Sequence, residues 1–160
     1  MASSVLEAEA PTVVGQDFTV AFLVDQSPDE VFDAINNVRG WWSEEIEGDT
    51  DRLSAEFKFH YRDFHRSTQK ITELVRARKV VWHVTDAQLN FVEDKTEWKG
   101  TDVVFEIARK GDKTELRFTH VGLVPACECF EKCSGGWSLY AGESLRELIT
   151  TGKGRPGAKE

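Results

Sequence analysis

KTELRFTHVGLVPACECFEKCSGGWSLYAGESLRELI, residues 113–149, is the stretch on which the fold turns, because its apolar period changes partway along. Leu116, Phe118 and His120 alternate with polar residues, the pattern of a half-buried strand. Beyond Pro125 the apolar positions Trp137, Ala141, Leu145 and Leu148 recur at three- and four-residue steps, the pattern of an amphipathic helix. A helix from about Ala126 to Ile149 would be roughly 36 Å long, closed by Gly152 and Pro156. Upstream, Gly111-Asp112 reads as a hairpin turn joining Thr101–Arg109 to Lys113–Val121. Val103, Phe105 and Ile107 would then meet Leu116, Phe118 and His120 on one side of that hairpin.

Working outward, Phe18, Val20, Phe22 and Val24 share one strand face. Ser27-Pro28-Asp29-Glu30 starts a helix, with Ser27 as cap, Pro28 in the first turn and Glu30 completing a capping box. Val31, Phe32 and Ile35 form its buried stripe. Further strands are predicted at 55–61, 67–74 and 79–86, with residues 87–100 as an irregular loop. The order is strand, helix, about five strands and a long helix. Such an order makes an antiparallel sheet whose apolar face the last helix covers, an α+β domain.

Composition bounds the function. The 160 residues include 20 Lys plus Arg against 28 Asp plus Glu, a net charge of −8, which opposes binding to phosphate backbones, so no nucleic-acid partner is expected. No apolar run is long enough to span a bilayer, so membrane insertion is not expected. The leader MASSVLEAEAPTVVGQ has neither a basic segment nor an apolar core, so residues 1–16 are read as a disordered tail, 17–152 as the domain and 153–160 as a second tail. A cytoplasmic setting follows. Cys127, Cys129 and Cys133 lack the second ligand pair of a zinc site and are expected as small buried hydrophobes. The acidic run from Glu44 to Asp51 is read as a solvated loop.

Taken in order, Ser27-Pro28-Asp29-Glu30-Val31-Phe32, Trp41-Trp42, Val80-Val81-Trp82, Thr114 to His120 with Gly122-Leu123, and Gly136-Trp137 ahead of Ser144-Leu145 carry a resemblance. The pattern resembles the START-like (Bet v 1-like, SRPBCC) superfamily, and within it the branch named after the C-terminal domain of the activator of Hsp90 ATPase. It covers nearly all of residues 17–156. The resemblance implies a helix-grip fold: a curved antiparallel sheet wrapped around a long C-terminal helix, with short helices after the first strand. It also implies a cavity between sheet and helix. Three functions follow from it: binding of a small apolar or aromatic molecule, a cyclase- or hydrolase-type enzyme, and a co-chaperone-like contact that rests on the family name alone. The assembly expected is a monomer or weak homodimer, without cofactor or metal.

The residues themselves add an excess of aromatics, five Trp and ten Phe, on faces that must point inward. Phe57, Phe59, Tyr61, Trp82, Phe105, Phe118 and Trp137 fall on the concave side; they either fill the core or wall a pocket. With Trp41, Trp42, His120, Tyr140 and Ala141 they make up the expected ligand-binding set. One of Trp41 and Trp42 would pack inward and the other face a ligand. His120 is the polar exception on an apolar face: either a core histidine bonded to Tyr140, Ser138 or backbone, or an acid–base group, with Tyr140, Tyr61 and Glu143 as further catalytic candidates. Gly135, Gly136 and Gly142 each cost a helix about 1 kcal/mol relative to Ala, which implies a need for open room or for close packing.

Overall fold

A computed structural model describes residues 16–157. The tail expected over residues 1–16 lies almost wholly outside the described residues, as do positions 158–160. The first half of the chain runs β1 (Phe18–Val24), α1 (Pro28–Asn36), a 3-10 turn (Val38–Gly40), β2 (Glu47–Gly48) and β3 (Glu56–Tyr61). It continues with β4 (His65–Val75), β5 (Lys79–Leu89), β6 (Asp102–Lys110) and β7 (Lys113–Val121). The C-terminal helix follows in three consecutive segments: α2 (Phe130–Trp137), a π-helical segment (Ser138–Ser144) and α3 (Leu145–Thr151).

The strands form one antiparallel sheet in the order β1-β7-β6-β5-β4-β3-β2. This is the helix-grip α+β architecture. Local chemistry accounts for its edges. The Ser27 hydroxyl accepts from the Glu30 N–H at 3.2 Å and the Glu30 carboxylate accepts from the Ser27 N–H at 2.9 Å, so both orphan donors at the start of α1 are satisfied. In the β6–β7 hairpin Val103 pairs with His120, Phe105 with Phe118 and Ile107 with Leu116. Register shifts at Thr68/Gln69 and Ile71/Glu73 interrupt the β4–β5 ladder, and such bulges bend a strand.

Aromatic rings fill the middle of the concave face. Trp41 is fully buried, stacked on Trp42 at 6.3 Å and on Trp82 at 6.2 Å, with its Nε1 donating to the Ile35 carbonyl. Phe57 and Phe105 meet Trp82 edge-on at 4.9 Å each, and Phe118 packs on Phe105 at 5.3 Å. Trp137 closes the stack from the helix side, 4.9 Å from Trp42 and 4.8 Å from Phe118.

Four expectations are corrected. Strands β4 and β5 run past their predicted ends, so the irregular loop shrinks to residues 90–101. The acidic run read as a solvated loop keeps its acidic residues at the surface but holds the short strand β2 and a buried Thr50, whose hydroxyl donates to the Asn36 carbonyl at 2.7 Å. The long helix begins at Phe130 rather than near Ala126, and the chain just ahead of it is held by the Glu97 carboxylate, which accepts from the N–H groups of Glu128 and Cys129. The domain does not end at residue 152. Gly152 (φ 86) breaks the helix, and the chain folds back along the tryptophan segment. Gly154 is buried so tightly that a Cβ there would lie 2.5 Å from the Gly40 carbonyl oxygen. Gly157 donates to the Trp42 carbonyl at 3.0 Å and accepts from the Glu44 N–H at 2.9 Å.

Trp137→Ala empties a site walled by four aromatic rings and removes a buried hydrogen bond. Urea denaturation should show a loss of about 3–5 kcal/mol. A loss under about 1 kcal/mol would contradict this packing.

Candidate functional site

The aromatic stack leaves one end of the concave face unfilled. There, four stretches of chain surround a cavity of about 430 Å³ that is partly open to solvent. Alternation along β3 turns Phe59 inward, and the turn after Tyr61 brings His65 to the start of β4. The C-terminal helix presents Cys133, Gly136, Trp137 and Tyr140 at steps of three, one and three, so all four share a face. Loop 90–101 supplies Phe91 and Trp98, and Trp42 with Ser43 forms the remaining wall beside Gly157. Glu45 and Lys132 are the charged groups among the lining side chains.

Loop 90–101 is held against the helix start by a reciprocal clamp. The Glu97 carboxylate accepts from the N–H groups of Glu128 (2.8 Å) and Cys129 (3.1 Å). The Glu128 carboxylate in turn accepts from the N–H groups of Asp94 (2.9 Å) and Glu93 (3.4 Å). This anchorage fixes Trp98, whose ring stacks on Trp137 at 5.7 Å and stands edge-on to His65 at 4.3 Å and to His120 at 4.7 Å.

His120 lies one layer behind that wall and has both ring nitrogens engaged. Trp137 Nε1–H donates to Nδ1 at 2.9 Å, so the neutral ring carries its proton on Nε2 and donates to Thr101 Oγ1 at 2.8 Å. The Thr101 hydroxyl in turn donates to the Trp98 carbonyl at 2.6 Å. Burial, reinforced by nearby His65, pushes the His120 pKa down to about 3. His120 is therefore a bonded core histidine, with Trp137 and Thr101 as partners in place of Tyr140 or Ser138. Tyr140 does line the cavity, its phenol held above the ordinary value by burial and then by Tyr61, but it is not brought together with His120 there. Glu143 is exposed and paired with Arg155 at 2.9 Å, away from the cavity.

Of the expected ligand-binding set, Trp42, Phe59, Tyr61, Trp137 and Tyr140 line the cavity, while Tyr61 is nearly half exposed at its rim rather than buried. Trp41, Phe57, Trp82, Phe105, Phe118, His120 and Ala141 belong to the packed core instead. Of the tandem tryptophans, Trp42 is the one on the cavity wall. Sequence reasoning missed Trp98, His65, Phe91 and Cys133 as wall residues. The one available signal was the pair of large apolar residues in an otherwise polar loop. Cys133 is buried, and Cys129 caps α2 with its thiol pushed up by a hydrogen bond to Cys133 and by burial. Among the described residues no three His, Cys, Asp or Glu side chains come together as a metal site. None of the helices there is long and apolar enough to cross a membrane.

Comparison with known proteins places the chain. The profile of the family described as activator of Hsp90 ATPase homolog 1-like protein matches residues 25–150. The solution structure of an Aha1 dimer from Colwellia psychrerythraea is similar at 23% identity, covering 86% of this chain and 98% of that one, with a TM-score of 0.68. DynU16, a putative protein in the dynemicin biosynthetic locus, is similar at 15% identity and TM-score 0.63 over 93% of this chain, which spans 52% of DynU16. Protein SSP2350 from Staphylococcus saprophyticus aligns at 13% identity and TM-score 0.62, over 89% of this chain and 98% of that one. At these identities the structural likenesses show the fold alone. No curated protein matches.

His65 is only partly buried, yet desolvation lowers its pKa to about 3 as well. Both are depressed below the unfolded value near 6.5, so the unfolded chain takes up protons first as pH falls. Stability should be unaffected by these groups above pH 6.5 and fall toward pH 3, by up to about 1.4 kcal/mol per pH unit for each histidine. Urea midpoints at pH 7 and pH 5 test this. His65→Phe should shrink the difference, and equal wild-type stability at both pH values would contradict it.

Proposed function

We propose that this chain, which belongs to the activator of Hsp90 ATPase homolog 1-like family, binds a small apolar or aromatic molecule in the cavity between β3–β4 and the C-terminal helix. The observation that carries this reading is Gly136. A Cβ built there meets nothing within 4 Å, although the residue lies in the middle of a helix that faces the sheet. Glycine at this position costs helix stability without easing any close contact, so the helical glycine serves open room and not tight packing. The cavity falls within the range of small-molecule sites, roughly 300–1,000 Å³, and aromatic side chains dominate its wall.

The enzyme reading has no comparable support. Its best acid–base candidate, His120, has both nitrogens bonded and no place on the cavity wall. A protein-contact role has one specific observation in its favour. Tyr61 and Phe64 stack at 6.2 Å on the rim of the cavity and are each nearly half exposed, an apolar patch suited to a weak homodimer or a chaperone contact. The free thiols of Cys127, Cys129 and Cys133 fit a reducing, cytoplasmic setting.

Gly136→Leu should fill the cavity with the fold retained. Wild-type protein should show saturable quenching of tryptophan fluorescence by an apolar probe, and the variant should lose it while keeping its circular dichroism. If the folded wild type ignores a broad panel of such probes, binding gives way to the protein-contact reading.

A further inference from the structure

We infer that the cavity selects an uncharged, planar aromatic molecule carrying a hydrogen-bond acceptor such as a ring carbonyl. The inference rests on the binding function proposed above and specifies the ligand class of the same site.

The first observation is what the wall lacks. Among the described residues no Leu, Ile or Val lines the cavity, although these residues are plentiful a few ångströms away in the core. Its apolar side chains are aromatic, with Cys133 the exception. Their faces are held by one another, Trp42 lying flat on Phe59 at 4.1 Å and 6°, and Trp98 on Trp137 at 5.7 Å and 12°. Fixed flat faces suit a rigid flat guest, through offset stacking and edge contacts. A flexible acyl chain would lose its freedom against them with no complementary shape in return. The volume fits about two to three fused rings, given that a cavity of about 150 Å³ accommodates one benzene.

The second observation is polar. Three ring nitrogens on cavity residues are buried without a hydrogen-bond partner: Trp98 Nε1, His65 Nε2 and His60 Nε2. One layer back, the His120–Trp137–Thr101 chain is fully satisfied. Trp82 Nε1 and Gln69 Oε1 in the packed core also lack partners, but the three ring nitrogens are those that belong to cavity residues. Indole N–H is a donor only and calls for an acceptor on the guest; a neutral imidazole can take either role. His65 stays uncharged near neutral pH, and the cation on the wall, Lys132, is exposed to water on α2. Recognition deep in the cavity therefore relies on neutral hydrogen bonds, and a carboxylate buried away from Lys132 would find no counter-charge.

Three probes separate the elements of this inference by tryptophan quenching: 9-fluorenone, fluorene and dodecanoate. Fluorenone should saturate and bind about tenfold tighter than fluorene, which has the same ring frame without the oxygen. Dodecanoate should bind at least about tenfold more weakly than fluorenone. Trp98→Phe keeps the ring but loses the donor, and should bring fluorenone down to the level of fluorene. The wild-type comparison stands whether or not that variant folds. Tightest binding by dodecanoate would overturn the planar class while leaving the binding function intact. Equal binding of fluorenone and fluorene would overturn the hydrogen-bonding element. Saturation by none of the three would overturn this inference together with the binding function beneath it.

Discussion

The hydrogen bond from Trp137 to His120 ties the C-terminal helix to the sheet, and the cavity depends on it. It joins a helix residue to the C-terminal end of β7 through two buried groups that would each be costly to leave unpaired. From His120 the chain of bonds continues through Thr101 to the Trp98 carbonyl, so one neutral imidazole fixes two cavity-wall tryptophans from behind. Burial keeps the ring uncharged, and the uncharged ring is the form that can accept on one nitrogen and donate from the other. Protonation would turn Nδ1 into a second donor facing an indole N–H, and the arrangement would fail.

The position of the cavity follows from the same packing. Trp41, Trp82, Phe57, Phe105 and Phe118 occupy the centre of the concave face, where a ligand site would lie if the grip were empty. Space remains where the inward side chain of the helix is Gly136 and where the sheet ends in the β3–β4 turn. The π-helical segment begins directly after Trp137, and its wider turn places Tyr140 on the cavity and Ala141 in the core. Helix irregularities of this kind recur at functional sites.

Much of this was legible in the residues. The capping box at Ser27–Glu30 and the meeting of Val103, Phe105 and Ile107 with Leu116, Phe118 and His120 are local consequences of side-chain chemistry and period two, and both occur as read. Of the inward stripe Trp137, Ala141, Leu145 and Leu148, the first three are buried and Leu148 packs partly buried against the core. The division of aromatics between core and cavity was not legible. Period says which face a ring takes, but whether it meets another ring or open space depends on residues far apart in sequence, such as Trp42 against Phe59. Trp98 and His65 carry no periodic signal, one in an irregular loop and the other at a strand end. The return of residues 153–157 rests on backbone hydrogen bonds and a close approach at Gly154, which composition does not encode.

The five tryptophans bring a property of their own. Trp41, Trp42 and Trp82 stack on one another, and Trp42 touches Trp137, which stacks on Trp98, with ring centroids 4.9–6.3 Å apart at every step. All five indoles are thus one coupled chromophore. Excitation absorbed by any of them migrates along the chain, and its near-ultraviolet dichroism reports the whole array. A quencher in contact with Trp98 or Trp42 alone would drain emission shared by all five indoles.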